Sequence, residues 1–284
     1  MREISPHIYL ETGYPGVTLA VMRCKRGLVL IDAPLRIEDT RAWRSTLSGM
    51  PGGFERILIT LDEHFDRTLG VRQMECLSIA HEGVAQAIKD RPLAFKAQGQ
   101  ETGADWELVN GLGVVRWAIP DITFGHSLQL YWGDYPILIR KVTGISACSC
   151  WVELPAQRLL FIGDTVVPGA PPFLAASDLP AWQEALRELL SPQYKAYTLV
   201  TGRAGVITSD EVKEQMKFLG KVQQQVDKLA ENELPVPEIE HTCIQLLKQF
   251  DSKSPHYEHY FSRLAYGLMK YLKRHAPSGS LSNG

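Results

Sequence analysis

Apolar and polar positions alternate along this chain in two rhythms, a short one first and a long one last. His7–Thr12, Val17–Cys24 and Gly27–Ile31 are rich in Val, Ile, Leu and Tyr, with Gly13-Tyr14-Pro15-Gly16 as a turn between the first two. They predict an antiparallel meander of three strands. Asp32-Ala33-Pro34-Leu35 breaks the run. Ile37–Leu47 then has helical spacing, ended by Met50-Pro51-Gly52-Gly53. Arg56–Leu61 is an apolar, β-branched run that reads as a short buried strand. It opens into Asp62, Glu63, His64 and Asp66, followed by Arg67 and Gly70. Thr68–Met74 predicts a helix whose N-terminus points at this loop and favours anions there. Leu77–His81 reads as a strand and Glu82–Lys89 as a helix.

Arg91–Ala118 mixes helical patches with Gly103, Gly111 and Gly113 and gives no clear period, so the sequence leaves open whether it forms a cap-like or mobile excursion over the site. Strand signals return at Ser127–Trp132, Pro136–Val142, Cys150–Leu154 and Arg158–Ile162, the last closed by Gly163-Asp164-Thr165. Leu179–Leu190 is an amphipathic helix, and Tyr197–Thr201 is one more strand, ending in Gly202-Arg203-Ala204-Gly205. The helical rhythm then takes over at Asp210–Asn232, Ile239–Phe250 and His256–Arg274. Ala276–Gly284 is rich in Ser, Gly and Pro and is expected to be disordered.

Composition narrows the classes without choosing one. The 284 residues suffice for one large domain with an appendage, and 45% apolar with 22% charged residues is ordinary for a globular protein. A formal charge of −2 leaves no electrostatic footprint for nucleic acid or an anionic membrane. No apolar run approaches the roughly 18–20 residues that cross a bilayer. Five cysteines make no disulfide framework, which points to a reducing, cytoplasmic setting. Cys148 and Cys150 have no second pair to form a metal site with, so they read as small buried residues.

The candidate chemistry lies in the acidic loop. A buried strand opening into carboxylates and an imidazole is a place for chemistry. Asp62, His64 and Asp66 fall at alternate positions, which in extended backbone put their side chains on one side. Asp and neutral His are ligands for zinc or iron. The other histidines lie outside this loop and read as surface or core residues. His256 and His259 have helical i, i+3 spacing but no third ligand. Ser146 and Ser149 have no assigned His base, and neither a nucleophile elbow nor a phosphate loop is present.

Five segments, taken in order, resemble the metallo-β-lactamase fold. They are the strand ending in Ile31-Asp32; the strand leading into Asp62–Gly70; Gly144-Ile145-Ser146-Ala147-Cys148-Ser149; Leu160–Thr165, ending in Gly-Asp-Thr; and Thr201–Gly205. The resemblance spans roughly residues 7–207. It implies an α/β (α+β) architecture, a four-layer αββα sandwich with additional C-terminal helices. Residues 1–207 would form the sandwich, 208–276 a helical extension packed on it, and 277–284 a tail. It also implies a metal site at one sheet edge and hydrolysis by metal-bound hydroxide.

The resemblance also shows where this chain departs. The positions that would hold one metal are Asp62, His64 and Ile145; those that would hold the second are Asp66, Arg67 and Arg203, with Asp164 bridging. Ile145 cannot ligate, and Arg is permanently cationic with no lone pair to give. Two carboxylates left without their metal repel, and a guanidinium can bind each through paired hydrogen bonds. Asp62, His64, Asp66 and Asp164 are therefore expected to be remnant metal positions standing empty. Arg67 and Arg203 are expected to pair with Asp66 and Asp164 in place of the second metal. Asp32 is implied as a support of the loop, the alternative being a cap on the helix after it. Two classes stay open. One is a catalytically silent or ligand-binding relative with no cofactor, its partner a small molecule or a protein and a homodimer conceivable. The other is a hydrolase with one Zn, Mn or Fe ion on Asp62, His64 and Asp164.

Overall fold

The computed structural model describes residues 1–96, 101–230 and 236–275; the expected tail over 276–284 lies outside them. Two sheets stack face to face. The first runs β1 (Arg2–Ser5), β2 (Ile8–Glu11), β3 (Leu19–Cys24), β4 (Gly27–Ile31), β5 (Arg56–Ile59), β6 (Leu77–His81) and β9 (Ile122–Phe124) in spatial order. The second runs β10 (Ser127–Leu130), β11 (Ile137–Lys141), β12 (Cys150–Leu154), β13 (Leu159–Gly163), β14 (Thr198–Thr201) and β15 (Gly205–Ile207).

Period-two patterning explains why both faces of the central strands are apolar. Ala20, Met22, Val29, Ile31, Ile57 and Ile59 meet Ile139, Val152, Phe161 and Val200 in the seam between the sheets. The alternate residues Leu19, Val21, Leu28, Leu30 and Leu58 face outward onto Trp43 and Leu47 of helix α1 (Ile37–Ser48). On the far side, Leu160 and Ile162 pack against α4 (Leu179–Leu189) and α5 (Ser209–Ala230). Helices α6 (Val236–Leu247) and α7 (Tyr257–His275) join the same apolar cluster through Cys243, Leu247, Leu264 and Leu268. The layer order is αββα, with the C-terminal helices continuing the outer layer on the second sheet.

Three local readings differ from the sequence pattern. The helix expected at Thr68–Met74 is split into α2 (Phe65–Thr68) and a 3-10 turn over Val71–Met74. It begins earlier because the His64 carbonyl already accepts from the Arg67 and Thr68 amides. It is interrupted at Gly70, where a Cβ would stand 1.8 Å from the Pro34 carbonyl oxygen. The described residues of the unreadable 91–118 stretch, 91–96 and 101–118, pair β7 (Ala94–Lys96) antiparallel with β8 (Val114–Arg116) and carry a 3-10 turn at Asp105–Leu108. Phe95, Trp106, Leu112 and Val115 of that stretch are buried. The short strands β1 and β9, which no periodicity marks, close the two ends of the first sheet. The helix expected at Glu82–Lys89 is present as α3 (Glu82–Lys89), capped by the His81 ring, whose Nδ1 accepts from the Gly83 amide at 3.0 Å.

Candidate functional site

Two parallel strand pairs assemble the site. β4 runs parallel to β5, and β13 parallel to β14, while most of their neighbours are antiparallel. Parallel neighbours release their C-terminal ends at the same edge, so Asp32, the Asp62–Arg67 loop, Asp164 and Gly202–Arg203 emerge together. Backbone bonds join the edge: the Cys150 amide donates to the Leu61 carbonyl at 2.8 Å, and the Thr18 amide to the Gly202 carbonyl at 2.7 Å.

Arg67 sits at the centre and is fully buried. Its Nη1 donates to Asp32 Oδ2 at 2.7 Å and to the Gly202 carbonyl at 3.4 Å. Its Nε donates to Asp62 Oδ2 at 3.2 Å, and its Nη2 to Asp164 Oδ1. Gly202 is required here: a Cβ would fall 1.9 Å from Arg67 Nη2. Arg203 takes the other oxygen of Asp164, with Nε at 2.9 Å and Nη2 at 2.7 Å from Oδ2. Its Nη2 also reaches Asp66 Oδ2 at 3.0 Å, and its Nη1 bonds Asp105. Asp105 in turn binds Arg263 of α7, a buried guanidinium that also donates to the Gly103 carbonyl at 2.6 Å and the Pro171 carbonyl at 3.1 Å.

The site is thus a ladder of alternating charge, Asp32–Arg67–Asp164–Arg203–Asp105–Arg263, with Asp62 and Asp66 on its flanks. Arg67 contacts Asp164 but not Asp66; its further partners are Asp62 and Asp32. Asp32 braces the loop, accepting from the Leu61 amide at 3.1 Å, and the N-cap of α1 is Arg36 instead. The shared side expected of Asp62, His64 and Asp66 is not kept, because the backbone turns helical at Phe65 and carries Asp66 towards Arg203. Ile145 is buried in the apolar cluster with Trp151, Leu160 and Trp182.

Charges this close hold one another. Burial acts to raise the Asp164 carboxyl, but Arg203 and Arg67 overcome it and hold it below the usual range. Asp62 is likewise kept low, by His64 and Arg67 against burial. Asp105 is lowered to about 2, Arg203 and Arg263 prevailing over burial. Asp32 goes the other way: burial pushes it up to about 7 against the pull of Arg67. Asp66 is also raised by burial, with Arg203 opposing. His64 rises to about 9: burial works against its charge, and Asp62 more than restores it. Its Nδ1 lies 3.1 Å from Asp62 Oδ1, an ion-pair distance without the alignment of a hydrogen bond.

Beside the ladder, Glu63 Oε2 accepts from Ser146 Oγ and Cys148 Sγ, each at 2.8 Å. Both cysteines of the C-x-C are buried, and Cys150 Sγ faces the Thr60 carbonyl. Arg91 lies over the Phe65 ring at 4.4 Å and the Trp117 ring at 4.6 Å, and donates to Thr68 Oγ1 at 2.9 Å. Ladder and loop open onto a pocket of about 200 Å³. Its aromatic walls are Phe65, Trp106, Phe173 and Tyr266, so α7 and the 91–118 excursion both enclose it. A sequence reading misses Asp105 and Arg263: they lie 158 residues apart in unrelated local patterns, and only the fold joins them.

One oxygen each of Asp62 and Asp164 and a ring nitrogen of His64 lie within 4.8 Å of one another, so this trio could hold a metal ion. Asp66 is not among them. Among the described residues no helix is long and apolar enough to cross a membrane.

With sheets, edge and site in place, the class is defined: the chain has the metallo-β-lactamase fold. A metallo-β-lactamase from Pontibacter korlensis superposes with a TM-score of 0.60 at 19% identity, over 77% of this chain and 97% of that one. The DIM-1 metallo-β-lactamase gives 0.60 at 16%, over 78% and 96%. The stereoselective inverting sec-alkylsulfatase Pisa1 from Pseudomonas sp. gives 0.68 at 16% identity, over 96% of this chain but 49% of that one. The sequence matches no family model and no curated protein.

Proposed function

We propose that this chain is a metal-free member of its fold that binds a small molecule in the pocket beside the ladder, rather than a dinuclear zinc hydrolase. The observation that carries this is the state of Asp164. Both of its oxygens are engaged by guanidinium groups, Arg67 on one and Arg203 on the other. A bridging carboxylate must offer those same oxygens to two metals. The donor set does not fit a metal pair for further reasons. Ile145 has no lone pair. Arg67 and Arg203 set fixed positive charge where a cation would sit. His64, raised to about 9 beside Asp62, is held as imidazolium and would have to release a proton to ligate. The two guanidinium groups restore the positive charge that the carboxylates need, so Arg67 and Arg203 stand in for the second metal.

One observation favours a second reading, a hydrolase with a single Zn, Mn or Fe ion. The Asp62, His64 and Asp164 ligand atoms lie within 4.8 Å of one another, and three ligands plus water suffice for catalytic zinc. Such an ion would have to displace Arg67 from both carboxylates. The two readings separate when the purified protein is dialysed in turn against zinc, manganese and ferrous salts and assayed on β-lactam, thioester and phosphodiester substrates. The ladder predicts less than a tenth of an equivalent of metal and no hydrolysis above background. One equivalent with turnover would establish the single-metal enzyme.

A further inference from the structure

Resting on the ligand-binding reading above, the geometry points to one chemical class of occupant: a small zwitterion with an apolar body, an amino acid with an aromatic or branched side chain. The charges on the pocket wall lead there.

Most of those charges are spent within the protein. Arg203 is paired with Asp66, Asp105 and Asp164, Arg263 with Asp105, and His64 with Asp62. Arg91 and Glu63 also line the pocket. Among the described residues these two have no ion-pair partner, so the wall presents one unmatched cation and one unmatched anion.

Other bonds keep the two from neutralising each other. The Arg91 guanidinium lies over the Phe65 ring at 4.4 Å and the Trp117 ring at 4.6 Å. Its Nη1 donates to Thr68 Oγ1 at 2.9 Å, and its Nη2 to the main-chain carbonyl of Glu63 rather than to the carboxylate. The Glu63 carboxylate is held elsewhere: Oε2 accepts from Ser146 Oγ and Cys148 Sγ, each at 2.8 Å, and Ser146 is itself 2.9 Å from Ser149 Oγ. Burial, with Glu63 beside it, pushes the Cys148 thiol up, so it stays protonated as a donor. What is left over is Arg91 Nε, which donates to nothing among the described residues, and Glu63 Oε1, which accepts nothing among them.

Burial also pushes the Arg91 guanidinium down to about 10, with Glu63 opposing, as expected of a cation short of a countercharge. A ligand carboxylate supplies that charge at Arg91, and a ligand ammonium gives Glu63 Oε1 its donor. A ligand with only one of these groups leaves the other wall charge unmatched, and gives up its own hydration as it enters. The zwitterion answers both and adds no net charge. For its body, the aromatic walls Phe65, Trp106, Phe173 and Tyr266 bound a volume of about 200 Å³, which suits one ring or a branched chain.

Four probes of one shape test this by fluorine NMR titration: 4-fluorophenylalanine, its primary amide, its N-acetyl derivative, and the N-acetyl amide. The second lacks the carboxylate, the third the ammonium, and the fourth both. The free amino acid should bind at least tenfold tighter than each of the others. Arg91→Gln should bring it down to the level of its amide, and Glu63→Gln to the level of its N-acetyl derivative. Substitutions that weaken all four probes alike would give the two residues a purely structural role and overturn the assignment. A blocked probe binding within tenfold of the free amino acid would overturn the zwitterion class while leaving a ligand-binding pocket. No binding of any probe at its solubility limit would overturn the class as well. Zinc uptake by the same sample then decides the ligand-binding reading itself, which falls on a full equivalent and stands without one.

Discussion

Arg67 and Arg203 share one carboxylate and live in different surroundings. Arg67 has no exposed surface and is surrounded by Asp32, Asp62, Asp164 and the Gly202 carbonyl, all fixed by strand ends. Arg203 is 13% exposed, opens onto the pocket, and reaches Asp105 on a short turn and, through it, Arg263 on the last helix. The inner guanidinium behaves as part of the core, a cation that four acceptors hold and that no water screens. The outer one joins segments distant in sequence and lines the pocket. The difference teaches that one residue type can serve two ends: neutralising buried carboxylates at the centre and tying distant segments together at the rim of the pocket.

Removing the inner cation should have the largest effect. Arg67→Ala strands Asp32 without a cation and leaves Asp62 with His64 alone and Asp164 with Arg203 alone, and breaking such a buried pair costs about 3–5 kcal/mol. Urea unfolding at neutral pH should show this, and Arg67→Lys should recover little, because one ammonium cannot span three carboxylates. A stability change within experimental error would mean that the inner cation is not structural.

The alkaline limb comes next. His64 has its pKa raised to about 9, above its ordinary 6.5, so its stabilisation is complete below pH 6.5 and is lost as pH rises through 9. Fully expressed, that amounts to about 3 kcal/mol. Asp32, raised to about 7, adds to the loss over its own range, since its protonated form is the one the fold prefers. Melting temperature against pH should therefore fall more steeply between pH 6.5 and 9 in the native chain than in His64→Gln. Parallel curves would remove the His64–Asp62 pair from the account. The acid limb should stay shallow, because Asp105, lowered to about 2, keeps its stabilisation until the pH falls through that value.

At the rim, Arg203→Ala should cost less than the inner change, about 2–3 kcal/mol, because water reaches the exposed side and part of the loss is screened. It should also loosen α7, read as faster amide exchange over Tyr257–His275. The smallest change on the list touches no charge. Gly202→Ala puts a methyl group against Arg67 Nη2, and overpacking of this kind costs about 1–3 kcal/mol. If Gly202→Ala is neutral, Arg67 has room that the inner site denies it.

The sequence reaches the sandwich more easily than the ladder. Ile31-Asp32, Arg56–Leu61, Leu160–Asp164 and Tyr197–Thr201 are apolar runs with abrupt polar ends, so both the strands and the place where they stop can be read. The resemblance of those ends supplied Arg67 and Arg203. Asp66 was misplaced because alternation assumes extended backbone, and hydrogen bonds to the His64 carbonyl begin a helix one residue before it. Asp105 and Arg263 were out of reach for a different reason. Neither has a local signature, and their pairing follows from where the excursion and the last helix come to rest. β1 and β9 are short edge strands, each with residues exposed to solvent, and carry no periodicity to detect.

The central claim is that two guanidinium groups stand where metal ions would otherwise be held. Metal stoichiometry, measured by elemental analysis on the native chain and on the triple variant Ile145→His, Arg67→His and Arg203→His after identical dialysis against zinc, tests it most directly. The account predicts no bound zinc in the native chain. It predicts about two equivalents in the variant, where each position regains at least three protein ligands. Uptake by the variant should weaken below about pH 6, as the new imidazoles protonate. One or more equivalents of zinc in the native chain, with Arg67 and Arg203 in place, would contradict it.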